Sequence, residues 1–232
     1  MNEAILYAIN GWMGTSTTFD EVLLHLASNP LFKGMTPLFI FWWLWGIEDA
    51  RSAARRLDLF VGLLVAAVAV LLCRAVVELG PHVLRPIHNP DLDIIISPFL
   101  DPATLAGENA FPSDHATLTI ALSVVMLRQS LGWGLLALAH AVIISLVSRV
   151  YFGFHAPSDV LSGAAIGAVT ILLLTTPAKR GLQVLGLETG MARYPQLVMA
   201  FLFALSLQMA TMFTSARYFL DAVSTALSRL FG

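Results

Sequence analysis

Six apolar runs divide the chain: residues 31–47, 57–77, 112–127, 131–147, 157–176 and 195–214. They are 16 to 21 residues long, close to the ~20 residues an α-helix needs to cross a hydrocarbon core about 30 Å thick. Lipid offers the backbone no water to bond, so each run is expected to be helical. Composition agrees. Apolar residues make up 57% of the 232 and charged residues 12%, roughly half the charged share of a soluble domain. The expected fold class is therefore all-α, a single polytopic membrane domain over residues 1–232 with six transmembrane helices. The clean part of the first run, residues 35–47, is short, and it spans only if Lys33 snorkels to the interface. Gly163, Ala164, Ala165 and Gly167 would let the fifth run pack closely on a neighbour. Trp42, Trp43 and Trp45 read as lipid-facing or interfacial anchors.

Three segments do not span. Residues 1–30 place Ile5, Leu6, Ile9 and Trp12, then Phe19, Val22, Leu23 and Leu26, at helical spacing interrupted by polar residues. This pattern predicts helices lying in the interface. Residues 78–111 form the longest connection, punctuated by Pro81, Pro86, Pro90, Pro98 and Pro102, and loops of that length are more often functional than idle. Residues 215–232 read as an amphipathic tail. The first basic residue is Lys33, so no charged n-region and no cleavable signal peptide are expected. The one cysteine, Cys73, lies in an apolar run, which excludes an internal disulfide and reads as a small core residue. A net charge of −2 without a long basic stretch excludes a general nucleic-acid binder.

Basic residues set the orientation. The connections after the first, third and fifth runs carry Arg51, Arg55, Arg56, Arg128, Lys179, Arg180 and Arg193. The other side carries Lys33, Arg74, Arg85, Arg149, Arg217 and Arg229, and Arg74, Arg85 and Arg149 belong to the site described next. The bias places the odd connections in the cytoplasm. Both termini, the loop 78–111 and the turn 151–156 then face the periplasm or the cell exterior, with the protein in the inner (plasma) membrane.

The two outward connections hold an unusual polar set. Arg85-Pro86 lies in the long loop, Pro112-Ser113-Asp114-His115 opens the third run, Ser148-Arg149 closes the fourth, and His155 and Asp159 flank the start of the fifth. Arginine forks match phosphate geometry, and free N–H groups at a helix start add positive charge. Two histidines supply a nucleophile and a proton donor. Asp159 follows His155 by one helical turn, so its carboxylate can hold one ring nitrogen and leave the other free. These groups fit phosphoryl transfer through a phosphohistidine without a metal.

The Pro112–His115 stretch, then Ser148-Arg149, five residues, His155, three residues and Asp159, resembles the signature of the type 2 phosphatidic acid phosphatase family, and Arg85-Pro86 resembles the end of that family's first motif. The resemblance covers roughly residues 74–165 and the six-helix layout. It implies that His155 attacks phosphorus, Asp159 orients it, and His115 protonates the leaving oxygen. Arg85, Ser113 and Arg149 would hold the phosphate, with no cofactor. Two positions differ from the usual pattern: Asp114 stands where glycine is commonest, and Glu78 where a lysine normally precedes the arginine by seven residues. Arg74 lies one turn before Glu78. It either pairs with Glu78 as a structural ion pair or supplies the missing positive charge as a further phosphate-binding residue.

Other polar residues have plainer readings. His140, mid-helix, is expected to bond another helix, His25 to pack at the interface, and Ser148 to be structural or functional with equal weight. His82 and His88 could line the site entrance. Asp91 and Asp93 read as solvated loop acids rather than a metal site. The expected activity is hydrolysis of a membrane lipid phosphate or diphosphate, with undecaprenyl diphosphate leading and phosphatidic acid, phosphatidylglycerol phosphate or lipid A phosphates as rivals. A phosphotransferase to a sugar or lipid hydroxyl is the alternative. A non-catalytic lipid transporter is disfavoured by the intact histidines.

Overall fold

The computed structural model describes residues 2–101 and 103–214, which form helices and loops with no strand. The expected tail, with Arg217 and Arg229, lies outside the described residues. Helices α1 (Asn2–Asn10) and α2 (Thr17–Ser28) come first. A π-helical turn (Leu31–Met35) runs into α3 (Thr36–Gly46), and α4 (Ser52–Leu79) follows. After the long loop come α5 (Asp114–Leu127), α6 (Leu131–Tyr151) with a π-helical middle, α7 (Pro157–Val184), α8 (Leu187–Arg193) and α9 (Pro195–Ala210).

Three of these helices, α4, α6 and α7, are long and apolar enough to cross a membrane. The pair α8–α9, bent by 103°, makes a fourth candidate. Helix α5 is apolar but has 14 residues, about 21 Å at 1.5 Å per residue. Helix α7 outruns its apolar stretch, continuing through Pro177 to Val184, where Lys179 forms an ion pair with Asp58 of α4. At its other end Pro157 occupies the first turn, where a missing N–H costs nothing. There Asp159 Oδ2 accepts the Ala156 N–H at 2.8 Å.

The main apolar cluster joins Phe41 of α3, Leu59 and Leu63 of α4, Leu118 and Leu122 of α5 and Ile171 of α7. Trp45 belongs to this cluster at 7% exposure, against its expected place at the lipid surface. It is held inward by a near-parallel stack on Phe41 at 6.1 Å and by Arg56, whose Nε donates to its carbonyl at 3.1 Å. Trp43 is exposed as expected.

The closest helix contact is between α5 and α7. A Cβ on Gly163 would lie 2.2 Å from the Ser113 carbonyl oxygen, and one on Gly167 would lie 2.3 Å from that of Thr117. Thr117 Oγ1 donates across the seam to the Gly163 carbonyl at 2.9 Å, and the Ser113 N–H bonds the Asp159 carbonyl at 3.0 Å. The small residues of the fifth run therefore do what their spacing predicts.

Helices α1 and α2 form where their periodicity predicts, and the polar residues that interrupt it are anchors. Buried Asn10 donates to the Tyr151 and Ile95 carbonyls at 2.9 Å each and accepts from the Ile95 N–H at 2.7 Å. Buried Asp20 accepts from the Tyr151 hydroxyl. Leu6 packs on Ala116, Val150 and Val160. The pair thus covers the end of the bundle where α5 and α7 begin.

The seam predicts a contrast between two glycines of one helix. Gly167→Ala should destabilise the protein by about 1–3 kcal/mol through overpacking. Gly181→Ala, which meets nothing within 4 Å, should be neutral or slightly stabilising. Thermal unfolding of both variants in the same detergent measures the difference.

Candidate active site

The chain reversal after α6 sets the site. Gly153 sits at φ +67°, a conformation glycine adopts without strain. The N–H groups of Phe154 and His155 both fold back onto the Arg149 carbonyl, at 2.9 and 3.2 Å. This turn accounts for the five-residue spacing between Arg149 and His155, because it places the two side by side. The long loop is stitched to the same turn. The Ile87 N–H bonds the Gly153 carbonyl at 2.9 Å, and Arg85 Nη1 donates to the Phe154 carbonyl at 3.0 Å.

One cavity of about 220 Å³ collects the polar groups. His115, His155, Arg74, Arg85 and Arg149 line it, joined by Lys33, Glu108 and Asp114. Ser113 and Asp159, both buried, stand just behind this wall. Four buried polar atoms of the expected site have no hydrogen-bond partner among the described residues: Arg85 Nε, Arg149 Nε, Ser113 Oγ and His115 Nε2. Buried polar groups are almost always paired, so such a cluster suits a ligand rich in oxygens.

His155 is held by the main chain. Its Nδ1 lies 2.8 Å from the Ala110 carbonyl oxygen, which can only accept, so Nδ1 carries the proton and Nε2 keeps its lone pair. Nε2 lies 3.2 Å from Arg85 Nη1 inside the cavity. The Asp159 carboxylate is 3.8 Å from Nδ1, beyond hydrogen-bond range, and is engaged by the Ala156 N–H and by Ser158 Oγ at 3.1 Å. Its hold on the ring is thus one of charge, and the direct bond belongs to Ala110. Burial depresses the His155 pKa below 6.5, because a charged imidazolium loses solvation there.

His115 is held by a side chain. Its Nδ1 lies 2.8 Å from Asp114 Oδ1, and the other Asp114 oxygen pairs with Arg74. The expected Arg74–Glu78 pair is not formed. Glu78 is exposed, and Arg74 turns instead to Asp114, a better-buried carboxylate. Local i,i+4 pairs contribute little, and a shielded tertiary pair outcompetes them. Arg74 lines the cavity through this contact.

Sequence reasoning missed two contributors. Asn109 fastens the loop with four bonds: Oδ1 accepts from the N–H groups of Val83 and Phe111 at 3.0 and 3.2 Å, and Nδ2 donates to the Val77 and Pro81 carbonyls at 3.0 and 3.2 Å. A lone loop asparagine carries no sequence signal for this role. Lys33, read as a snorkelling flank, faces the cavity. His82 and His88 lie away from the cavity wall and hold the loop to itself, on the Gly107 and Thr104 carbonyls at 3.3 and 2.8 Å. His140 bonds the Phe32 carbonyl at 2.7 Å across helices, as expected. His25 packs against Phe32, and Ser148 is structural, its buried hydroxyl bonded to the Ile144 carbonyl.

Two double-mutant cycles distinguish the ion pair observed from the one expected. Arg74→Ala with Asp114→Ala should show a coupling energy of about 1–3 kcal/mol, and Arg74→Ala with Glu78→Ala less than about 0.5 kcal/mol. Stabilities of the singles and doubles in one detergent provide both values.

Comparison with known proteins follows the same residues. Residues 58–180 match the profile of the PAP2 superfamily, a span that runs from within α4 to within α7 and includes every expected site residue. The chain is 32% identical over 173 residues to the putative undecaprenyl-diphosphatase YbjG of Escherichia coli (strain K12), covering 74% of this chain and 80% of that protein. It is 25% identical over 171 residues to the undecaprenyl-diphosphatase BcrC of Bacillus subtilis (strain 168), covering 73% and 80%. It is also 28% identical over 157 residues to the bacitracin transport permease protein BcrC of Bacillus licheniformis, covering 67% and 70%. No solved structure gives a significant match. The profile, the relatives and the clustered motif residues agree: the chain belongs to the PAP2 superfamily.

Proposed function

We propose that this protein is a membrane phosphatase that hydrolyses a lipid diphosphate, with undecaprenyl diphosphate as the leading substrate, through a phosphohistidine and without a metal. The observation that carries this reading is His155 Nε2, left unprotonated by the Ala110 bond and facing the cavity, where it accepts from Arg85 Nη1 at 3.2 Å. The names of two similar proteins, from Escherichia coli and Bacillus subtilis, support the choice of lipid.

The chemistry runs through two displacements. The outer phosphate sits between Arg85, Arg149 and the start of α5, where Ser113 contributes its hydroxyl. The Nε2 lone pair of His155 attacks phosphorus, and the bond from phosphorus to the bridging oxygen breaks. That oxygen keeps the electron pair and takes the Nε2 proton of His115. The Asp114 carboxylate, on the opposite ring nitrogen, and the bound phosphate anion together favour the doubly protonated ring once substrate is in place. Water then attacks the phosphohistidine and returns a proton to His115, releasing inorganic phosphate. Arg74 acts through Asp114 and adds positive charge to the cavity wall.

In this reading α3, α5 and α9 complete six spans, and α1 and α2 lie in the outer interface. Their exposed Trp12, Phe19 and Val22 support that placement. The site then faces the periplasm or cell exterior, where a lipid carrier's headgroup reaches it while the tail stays in the bilayer.

Kinetics test the mechanism. Purified protein should release phosphate from the lipid diphosphate in EDTA, and vanadate should inhibit it by mimicking the five-coordinate transition state. His155→Ala and His115→Ala should each lose at least about 100-fold in turnover. His155 acts neutral and its pKa is depressed from 6.5, so kcat/KM should hold as pH falls to 6.5 and drop only below it. Full activity in His155→Ala, or abolition by EDTA, contradicts the mechanism.

Sidedness is tested separately. In a Cys73→Ser background, a cysteine at exposed Asp93 should react with an impermeant thiol reagent in intact cells, and one at exposed Ala53 should not. The reverse labelling pattern inverts the orientation.

A further inference from the structure

The cavity wall holds more cations than carboxylates. Four cations line it, Lys33, Arg74, Arg85 and Arg149, against two carboxylates, Asp114 and Glu108. Arg74 is paired with Asp114, and Arg85 lies 3.3 Å from Glu108. Lys33 and Arg149 have no carboxylate partner among the described residues. The Arg149 guanidinium is fixed by a 3.1 Å bond to the Ala27 carbonyl and lies over the Phe154 ring at 5.5 Å.

Lys33 is also fixed, though by its backbone. It rides on the π-helical turn Leu31–Met35, a geometry that recurs at functional sites. The turn is clamped at Gly34, where a Cβ would lie 2.5 Å from the Ala210 carbonyl oxygen of α9. Together with Leu105, Lys33 and Arg149 line both the cavity and an adjoining groove of about 620 Å³. They therefore stand where the two spaces meet.

We propose that Lys33, with Arg149, forms a second phosphate subsite that takes the inner, lipid-linked phosphate of a diphosphate while the outer phosphate sits at Arg85 and His155. A diphosphate carries more negative charge than a monophosphate and presents oxygens on two centres. A compact ammonium with three donors suits the inner group, and the arginine fork can bridge to the outer one. The cation that the family's first motif places seven residues before its arginine is replaced here by Glu78, which is exposed. Lys33 supplies a lysine from a different segment of the chain. This inference rests on the diphosphatase reading above for its substrate but not for its binding chemistry.

Binding and turnover are measured separately on full-length protein in detergent. Calorimetric titration with methylenediphosphonate, whose phosphorus–carbon bonds resist hydrolysis, is compared with titration by orthophosphate. Wild type should prefer the diphosphonate by about tenfold or more, and Lys33→Met should remove that preference while changing orthophosphate affinity less than about threefold. Lys33→Arg, which keeps the charge, should retain most of the preference. The proposal is overturned if wild type shows no preference, if Lys33→Met binds the diphosphonate like wild type, or if it loses both ligands equally. Phosphate release from lipid diphosphate by wild type is the second arm. Preferential diphosphonate binding that depends on Lys33, without any lipid hydrolysis, would leave the subsite standing and remove the hydrolase reading.

Discussion

The site depends on two helices meeting backbone to backbone. Gly163 and Gly167 of α7 let the main chain of Ser113 and Thr117 on α5 come closer than any side chain would allow. The Ser113–Asp159 and Thr117–Gly163 bonds then lock the two helix starts together. Without that approach, residues more than 40 positions apart in sequence could not share one small cavity. Packing in lipid has no hydrophobic drive between helices, so small residues and bridging hydroxyls must carry it.

Around this seam the protein manages several buried charges. Each arginine that reaches the cavity is tied down by protein groups: Arg85 by the Phe154 carbonyl and Glu108, Arg149 by the Ala27 carbonyl, and Arg74 by Asp114. Leaving such charges unpaired in a shielded place is costly, and leaving them mobile would forfeit preorganisation. The long loop and the α1–α2 pair serve that end. Asn109 fastens one side of the loop, and Asn10 bonds both the loop at Ile95 and the end of α6 at Tyr151. The structure over the site is thus held by asparagine side chains bonded to main chain together with a small apolar cluster of Met13, Leu23, Ile87, Phe152 and Phe154.

What was legible in the sequence was whatever is written in side-chain type at fixed spacing. The all-helical class followed from apolar runs of span length, and the gathering of His115, Arg149, His155 and Asp159 in one place followed from their motif intervals. The small-residue stripe in α7 announced its own packing. What escaped depends on tertiary proximity. Of the two readings open for Arg74, the pair with Glu78 rests on a carboxylate one turn away, but its partner is 40 residues on. Lys33 looked like a membrane flank because its run begins there, and only the folded chain turns it toward the cavity. Trp45 looked like an interfacial anchor because tryptophans often are, and Phe41 and Arg56 draw it inward. Helix ends were illegible for a related reason: α7 continues past its apolar stretch because Lys179 finds Asp58 there.

The Ala110 carbonyl that holds the His155 ring has a further consequence. A carboxylate in that position would itself titrate, and the tautomer of the imidazole would shift with it. An amide oxygen has no such equilibrium in the physiological range, so this contact itself does not titrate. The contact also belongs to no side chain. Any residue at position 110 would present the same carbonyl, and alanine scanning passes over it in silence. Part of what orients this histidine is therefore heritable only as backbone shape, maintained by Asn109 on one side and the turn at Gly153 on the other.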